Sequence, residues 1–172
     1  METKSTPLIF VVDDDRMFLK SLEHDLRQFL RNVRIKAFPS GEECLRNIDQ
    51  RPDIVLLDYM LDKDQPGSMD GIKVLERIKS KVPDSTVIMM SAQDNMDVAV
   101  NTMKHGAFDY IIKNDRIFVR IHNAIKNVIH SLSVRKQMKD YRRMVAIFVA
   151  IIATVAAVAI YMQIFYPGVL ER

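Results

Sequence analysis

The sequence has little of the cysteine that secreted proteins use for disulfides and that many metal sites use as a ligand. Its 172 residues include a single cysteine, Cys44, so no internal disulfide can form, and a lone cysteine fits a reducing compartment. The four histidines show no metal-ligand spacing with that cysteine, and we interpret them as structural or solvated. The apolar run that begins at Leu8 is too short for a signal peptide and ends in three acids, so no leader is expected.

An excess of positive charge is absent from most of the chain, although the net charge is +3 and the pI is about 9.0. Residues 1–115 carry 16 Lys and Arg against 20 Asp and Glu, whereas residues 116–143 carry 8 against 1. Because the basicity is confined to one short segment, the composition gives no basis for nucleic-acid binding by the whole fold.

Charge is absent from residues 144–166, which read MVAIFVAIIATVAAVAIYMQIFY. A helix of that length is about 35 Å long, enough to cross a hydrocarbon core of about 30 Å. Its Ile, Val and Phe residues contribute roughly −3 to −7 kcal/mol to insertion. We therefore expect a single-pass transmembrane helix at 144–166, after a basic juxtamembrane neck at 131–143 and before a short tail at 167–172. The positive-inside rule predicts an inner-membrane protein with its folded domain in the cytoplasm.

Small residues recur at four-residue spacing inside this span. Ala146 with Ala150, and Ala153 with Ala157, form two small-xxx-small pairs of the kind that allows close helix packing. In so alanine-rich a segment, chance explains the pairs as well as dimerisation does. A homodimer through the transmembrane helix or the fifth helix stays an open expectation.

Two apolar runs end on carboxylates. The run Ile54–Leu57 has no polar alternation, which is typical of a central parallel strand buried on both faces, and Asp58 follows it. The run Leu8–Val12 leads into three consecutive aspartates, Asp13 to Asp15. Ligands of open α/β sheets bind beyond the carboxyl ends of the strands, so these acids are expected to meet in one crevice.

Extended and helical patterns alternate along the first 130 residues. The predicted strands are Leu8–Val12, Val33–Phe38, Ile54–Asp58, Thr86–Met90 and Ala107–Ile112. The predicted helices are one capped by Asp15 and ending near Arg31, one from Ser40 through Ile48, Gly71–Lys81, one capped by Asp94 and closed at Gly106, and a long one from about Asp115. The stretch between Tyr59 and Asp70 reads as a loop. This order predicts an α/β fold, a doubly wound five-stranded parallel sheet, in a domain spanning residues 1–130.

The crowded carboxylates indicate a metal-dependent chemistry. Like charges raise one another's pKa, so the cluster is costly unless a cation neutralises it. Carboxylate oxygens in an open site favour Mg²⁺ over a caged Ca²⁺. A carboxylate beside magnesium at a strand end is typical of phosphoryl transfer, and we interpret Asp58 as a phosphate acceptor.

Several motifs in these segments resemble the receiver domain of two-component response regulators. They are LIFVVDDDRMFLKSLEHDL, PDIVLLDYML followed by MDGIKVLERIK, and VIMMSAQDNMDVAVNTMKHGAFDYIIK, and the resemblance covers residues 7 to about 130. It implies a flavodoxin-like receiver fold that is phosphorylated by a histidine kinase or phosphotransfer protein and acts on a downstream protein.

The resemblance also implies roles for individual residues. Asp58 is the phosphoacceptor, and the Mg²⁺ ligands are Asp13, Asp14, Asp58 and the backbone carbonyl of Met60. The phosphoryl-binding and switch residues are Ser91, Ala92, Lys113 and Tyr110. Of these, Tyr110 is the aromatic residue expected to swing inward on activation.

The sequence departs from the family pattern at two places. Asn114 stands where the family usually has a proline after the lysine, and Lys63-Asp64-Gln65 lengthens the loop after Asp58. Asp62 and Asp64 are interpreted as solvated. These differences bear on the lifetime of the phosphorylated state and on partner choice.

The expected function is that of a membrane-anchored receiver, not an enzyme, which signals by protein contacts and not by DNA binding. Two alternatives stay open. Val11 to Asp15 also fits the Asp-x-Asp strand end of haloacid-dehalogenase-like phosphatases, with Asp13 as nucleophile, but this leaves Asp58 without a role. A receiver-shaped scaffold that never cycles phosphate is the third possibility.

Overall fold

A computed structural model describes residues 6–61 and 69–165 of the chain. Within the last helix, the side chains of residues 133–140, 142, 158–159 and 162–165 are outside this description. The predicted loop insertion and the predicted tail also lie outside the described residues. The chain divides into two compact units, Met1–Ile129 and His130–Arg172.

Five strands and five helices alternate along the chain, with one short 3₁₀ turn at Ile48–Gln50. The strands are β1 (Leu8–Val12), β2 (Arg34–Phe38), β3 (Ile54–Asp58), β4 (Thr86–Ser91) and β5 (Asp109–Ile112). The helices are α1 (Arg16–Phe29), α2 (Gly41–Arg46), α3 (Gly71–Lys81), α4 (Met96–Lys104) and α5 (Ile117–Phe165). All strand pairs are parallel, in the order β2-β1-β3-β4-β5, which confirms the predicted five-stranded α/β sheet.

The strand order reverses beside β1, and this sets the place of the site. From β1 the chain moves outward to β2 and then crosses back to β3 on the other side of β1. In the β1–β3 register Val12 lies opposite Leu57, so Asp13 and Asp58 follow at matching positions. Such a switch point leaves a crevice beyond the carboxyl ends of the two strands.

The core lies around the central strands. Every residue of β1 and of β3 is buried, as predicted for apolar runs covered on both faces. On one face Phe10 packs edge-to-face against Phe38 of β2, with ring centroids 4.7 Å apart. This rigid centre fixes the strand ends that carry the acids.

The N-cap residues of two helices, α1 and α4, can be compared with the predicted ones. Asp15 caps α1 as predicted, its Oδ1 accepting from the N–H groups of Met17 and Phe18 at 2.9 and 3.1 Å. The predicted cap of α4 was wrong by one residue. Asn95, and not Asp94, is the N-cap, because its extended backbone aims Oδ1 at the N–H of Asp97, 2.9 Å away.

Several predicted boundaries also shift by a few residues. α1 ends at Phe29 and not near Arg31, since Leu30 is already extended, and α2 ends at Arg46 before the 3₁₀ turn. β2 begins at Arg34, β5 at Asp109 and α5 at Ile117, each one to two residues after the predicted start. Frayed ends of this size do not alter the sheet.

The C-terminal part of α5 is apolar and exposed where its side chains are described. Phe148 and Val155, for example, are 66% and 64% exposed. Among the described residues, no helical stretch combines the length and the apolar character needed to cross a membrane. The transmembrane helix predicted at 144–166 is therefore not confirmed.

Candidate functional site

Four strand ends bring the predicted site residues to one edge of the sheet. Asp13 follows β1, Asp58 ends β3, Ser91 ends β4 and Lys113 follows β5. Parallel strands present their carboxyl ends at the same edge, so residues far apart in sequence converge there. The structure thus places at one edge the groups that the sequence assigned to one crevice.

Three carboxylates form a cluster suited to a hard metal ion. One oxygen each from Asp13, Asp14 and Asp58 lies within 4.8 Å of the others. Asp13 and Asp58 are buried, whereas Asp14 is exposed to solvent. An all-oxygen donor set that is open on one side fits Mg²⁺, which keeps several of its waters.

The Lys113 ammonium lies between the two buried acids. Its Nζ is 2.7 Å from Asp13 Oδ2 and 3.1 Å from Asp58 Oδ1, and the side chain is only 19% exposed. The backbone N–H of Lys113 donates to the carbonyl of Ser91 at 2.7 Å, which fixes where the side chain begins. One cation therefore compensates two buried carboxylates.

The electrostatic balance at the site leaves surplus negative charge. Burial raises the pKa of Asp13 to about 6, against the opposing effect of Lys113. Burial also raises the pKa of Asp58, although Lys113 and the N–H of Met60 oppose it. Burial by itself lowers the pKa of Lys113, but Asp58 and Asp13 outweigh it, so the net shift is upward. A divalent cation would relieve the remaining repulsion.

Asp58 Oδ1 can accept a further partner, such as a metal ion or a phosphoryl group. It is buried and, within the part of the chain that the structure describes, it makes no hydrogen bond, its ion pair with Lys113 apart. Buried carboxylate oxygens normally have such partners, so this atom is available to a metal or to a phosphoryl donor. The Met60 N–H lowers the pKa of the Asp58 carboxyl, whereas the predicted metal contact of the Met60 carbonyl stays a prediction.

The predicted switch residues meet at the loop after β4. Ser91 is buried and its Oγ accepts from the N–H of Gln93 at 3.1 Å, while Ala92 beside it is exposed. The ring of Tyr110 is buried, and its hydroxyl donates to the carbonyl of Gln93 at 2.8 Å. The aromatic residue predicted to swing inward is thus already inward in this structure.

Asn114 makes two hydrogen bonds that a proline at this position could not make. Its backbone N–H donates to the carbonyl of Ile112 at 3.0 Å, and its Oδ1 accepts from the N–H of Arg116 at 3.1 Å. Proline lacks both the N–H and the side-chain acceptor. The departure from the family pattern at Asn114 is therefore built into the turn that leads from β5 to α5.

Gly71 is a site residue whose role the sequence did not reveal. A Cβ at this position would lie 2.4 Å from the carbonyl oxygen of Asp58 and 2.8 Å from Cα of Tyr59, so no larger residue fits without a backbone shift. The N–H of Gly71 donates to the carbonyl of Tyr59 at 3.2 Å. The sequence placed Gly71 only as a helix start, because the close approach involves a residue 13 positions earlier.

Phe18 is a second residue at the site whose role the sequence did not reveal. Its ring centroid lies 4.8 Å from Lys113 Nζ, and its ring stacks with that of Phe118 on α5. No local signal could indicate this contact, since Lys113 is 95 positions away along the chain.

Comparison with known proteins agrees with this site and fold. Residues 9–126 match the family described as "Response regulator receiver domain". The chain therefore belongs to the response regulator receiver domain family, whose proteins act in two-component signal transduction.

Curated relatives and solved structures give the same result. The chain is 36% identical to the regulatory protein LuxO of Vibrio cholerae over 99 residues, which cover 55% of this chain and 21% of that protein. It is 36% identical to the DNA-binding transcriptional regulator NtrC of Escherichia coli over 107 residues, 62% of this chain and 21% of that protein. The BeF₃-activated receiver domain of DrrB from Thermotoga maritima superposes with a TM-score of 0.63 at 26% identity, covering 73% of this chain and 98% of that one. The chain thus spans about a fifth of these two curated relatives.

Proposed function

We propose that this receiver accepts a phosphoryl group on Asp58 in a Mg²⁺-dependent reaction, and that it is a signalling domain and not a metabolic enzyme. The observation that carries the proposal is the cluster of Asp13, Asp14 and Asp58 with the Lys113 ammonium between its two buried members. A solvated acidic cluster would not need the Lys113 ammonium, and a structural ion pair would not need three acids.

The chain's own groups have distinct tasks in this reaction. A carboxylate oxygen of Asp58 attacks the phosphorus of the donor, a P–O bond forms, and the bond to the leaving nitrogen or oxygen breaks. Asp13 and Asp14 would hold Mg²⁺, which spreads the charge on the moving phosphoryl group. Lys113 and the Ser91 hydroxyl would bind the phosphoryl oxygens once they are attached to Asp58.

The proposed donor is a histidine kinase or a phosphotransfer protein, the partners with which receiver domains interact. The proposed output is contact with another protein and not with DNA. Residues 1–115 carry more acidic than basic residues, which disfavours a DNA backbone as partner of the receiver fold.

Phosphorylation of Asp58 can be tested directly with a small phosphodonor. With acetyl phosphate and Mg²⁺, we expect the wild-type chain to gain one phosphoryl group that is labile to hydroxylamine. Asp58→Asn should abolish the gain, because an amide is not a nucleophile for phosphorus, and EDTA should do the same. Intact-mass spectrometry measures both results.

The control for that experiment is Asp49→Asn, which removes one exposed carboxylate from the 3₁₀ turn that precedes β3, at the end of that strand opposite to Asp58. It should be phosphorylated like the wild type. Turnover of a phosphate ester that needs Asp13 and ignores Asp58 would instead favour the phosphatase alternative. A wild-type chain that binds Mg²⁺ but gains no phosphate would favour the scaffold alternative.

We further propose that residues 144–166 anchor the receiver in the inner membrane, with the receiver in the cytoplasm. The support is the uncharged sequence of this segment, the place of residues 144–165 in the helix α5, and the exposure of large apolar side chains, for example Phe148 and Val155. Exposed apolar surface of this extent is costly in water and favourable in lipid. The basic residues of 131–143 would then lie on the cytoplasmic side.

Two lysines inside the segment should release the chain from membranes. Ile152→Lys with Val155→Lys adds about 6 to 8 kcal/mol to the insertion free energy, which offsets the apolar contribution. We expect the wild type to remain with membranes after carbonate extraction, and the double variant to appear in the supernatant. Met96→Lys with Val119→Lys makes the same charge change at exposed positions of the receiver and should leave the chain membrane-bound. Extraction of the wild type by carbonate would contradict the anchor.

A further inference from the structure

The Lys113 ammonium has a third neighbour that the phosphoryl-transfer chemistry does not explain. Besides Asp13 Oδ2 at 2.7 Å and Asp58 Oδ1 at 3.1 Å, Nζ faces the ring of Phe18, with 4.8 Å to the ring centroid. The aromatic ring therefore completes a three-sided environment around the ammonium.

The ring offers the ammonium an attraction that differs in kind from the two ion pairs. The face of a phenyl ring carries partial negative charge and attracts a cation within about 6 Å, more strongly where water is largely excluded. Phe18 does not titrate and cannot be a metal ligand. Its attraction therefore stays constant when Mg²⁺ or a phosphoryl group changes the charge on the carboxylates.

Two contacts fix the ring where it is. The backbone N–H of Phe18 donates to the cap residue Asp15 at 3.1 Å, which holds the first turn of α1. The ring itself stacks with Phe118 of α5, with centroids 6.2 Å apart and an interplanar angle of 24°. Phe18 is thus held by the first turn of its own helix and by α5.

Lysine needs such a restraint more than most residues do. Its ammonium sits on a flexible four-carbon stem, and holding one rotamer costs conformational entropy. Mg²⁺ held by Asp13 and Asp58 would weaken the ion pairs of these acids with Nζ, and the contact with the Phe18 ring would remain.

We propose that Phe18 is a positioning residue of the phosphoryl-transfer site, whose ring face holds the Lys113 ammonium where it meets the incoming phosphoryl group. This inference rests on the proposed phosphorylation of Asp58. It gives a residue of α1 a part in the reaction, although no proposed metal ligand or phosphoryl-binding residue lies on that helix.

The proposal is tested by changing the ring face while keeping its shape. In the full-length chain, Phe18 is replaced by phenylalanines bearing one, two or three fluorines, which withdraw charge from the ring face in steps. With acetyl phosphate at saturating Mg²⁺, the rate of Asp58 phosphorylation should fall with each fluorine, reaching about a two- to tenfold loss. Phe18→Leu should lose as much, and Phe18→Tyr should keep the wild-type rate within about twofold.

The chain provides a matched control for these variants. Lys126 Nζ lies 4.7 Å from the centroid of the Phe29 ring, a second lysine–phenylalanine contact remote from the acids. The same fluorinated series at Phe29 should leave the rate unchanged, which separates a general effect of fluorination from one at the site.

The outcomes distinguish this inference from the function on which it rests. If the wild type is phosphorylated on Asp58 and the fluorinated Phe18 series keeps the same rate, the positioning role is wrong and the receiver function stands. If Phe18→Leu slows the reaction but the fluorinated series does not, the ring acts by its bulk alone, which also overturns the proposal. If the wild type itself gains no phosphate on Asp58, both proposals fall.

Discussion

Replacing Lys113 by methionine is expected to lower the free energy of unfolding of the metal-free protein by about 3 kcal/mol at pH 7, because removing one partner of a buried ion pair leaves uncompensated charge. Lys113 Nζ contacts both Asp13 and Asp58, and the two carboxylates are buried. Methionine keeps the length and apolar character of the stem, so the loss reports the charge. Urea unfolding followed by circular dichroism in EDTA measures it.

The same variant should regain stability in two ways. Without the lysine, the pKa values of Asp13 and Asp58 rise further above those in the unfolded chain. The penalty is then fully present above the folded-state pKa values and disappears as the pH falls towards the unfolded values near 4. Saturating Mg²⁺ at pH 7 should also restore much of the stability, since the ion replaces the missing positive charge.

The control for the lysine variant is Lys126→Met. Lys126 is exposed and its ammonium faces the Phe29 ring, away from the buried acids. This change should leave the unfolding free energy almost unaltered at every pH. A Lys113→Met protein as stable as the wild type at pH 7 without metal would contradict the proposed charge balance.

Replacing Asp13 by asparagine is expected to raise the free energy of unfolding, the opposite of the effect of Lys113→Met. Burial raises the pKa of Asp13 to about 6. At pH 7 the carboxyl is therefore ionised in an environment that is less favourable for its charge than the unfolded chain is. The amide removes this cost, and the unfolding free energy at pH 7 should rise by roughly 1–3 kcal/mol. Stability would thus be gained at the expense of the site.

The effect of Asp13→Asn should also change how the unfolding free energy depends on pH. Between the unfolded pKa near 4 and the folded value of about 6, the folded wild type binds more protons than the unfolded chain, so its stability falls as the pH rises. In Asp13→Asn that slope should be reduced, and Mg²⁺ binding measured by calorimetry should weaken by at least tenfold. Asp49→Asn, which removes an exposed carboxylate, should retain both the slope and the affinity.

Strand placement and the acidic cluster were predictable because they depend on local pattern. Uninterrupted apolar runs mark strands buried on both faces, and the acids after Val12 and Leu57 lie where such strands end. Parallel pairing then determines that Asp13 and Asp58 meet. The family resemblance implied the receiver fold and a phosphoryl-binding role for Lys113, whereas the strand order and the ion pairs of Lys113 with Asp13 and Asp58 came from the structure.

The parts that escaped prediction depend on contacts between distant segments. Nothing near Gly71 in the sequence shows that its Cα lies against the carbonyl of Asp58, and nothing near Phe18 shows that a lysine lies over its ring. The cap of α4 was misplaced because Asp94 and Asn95 are both good acceptors in adjacent positions, and only the backbone angles decide between them.

One residue of the β4–α4 loop joins the site to the buried aromatic residue. Gln93 donates its N–H to the hydroxyl of Ser91 and accepts the hydroxyl of Tyr110 on its carbonyl, at 3.1 and 2.8 Å. The two hydroxyl groups are therefore connected through the backbone of a single amino acid. A displacement of the Ser91 hydroxyl would therefore shift the backbone of Gln93, and the Tyr110 hydroxyl would either follow it or lose its hydrogen bond to the Gln93 carbonyl.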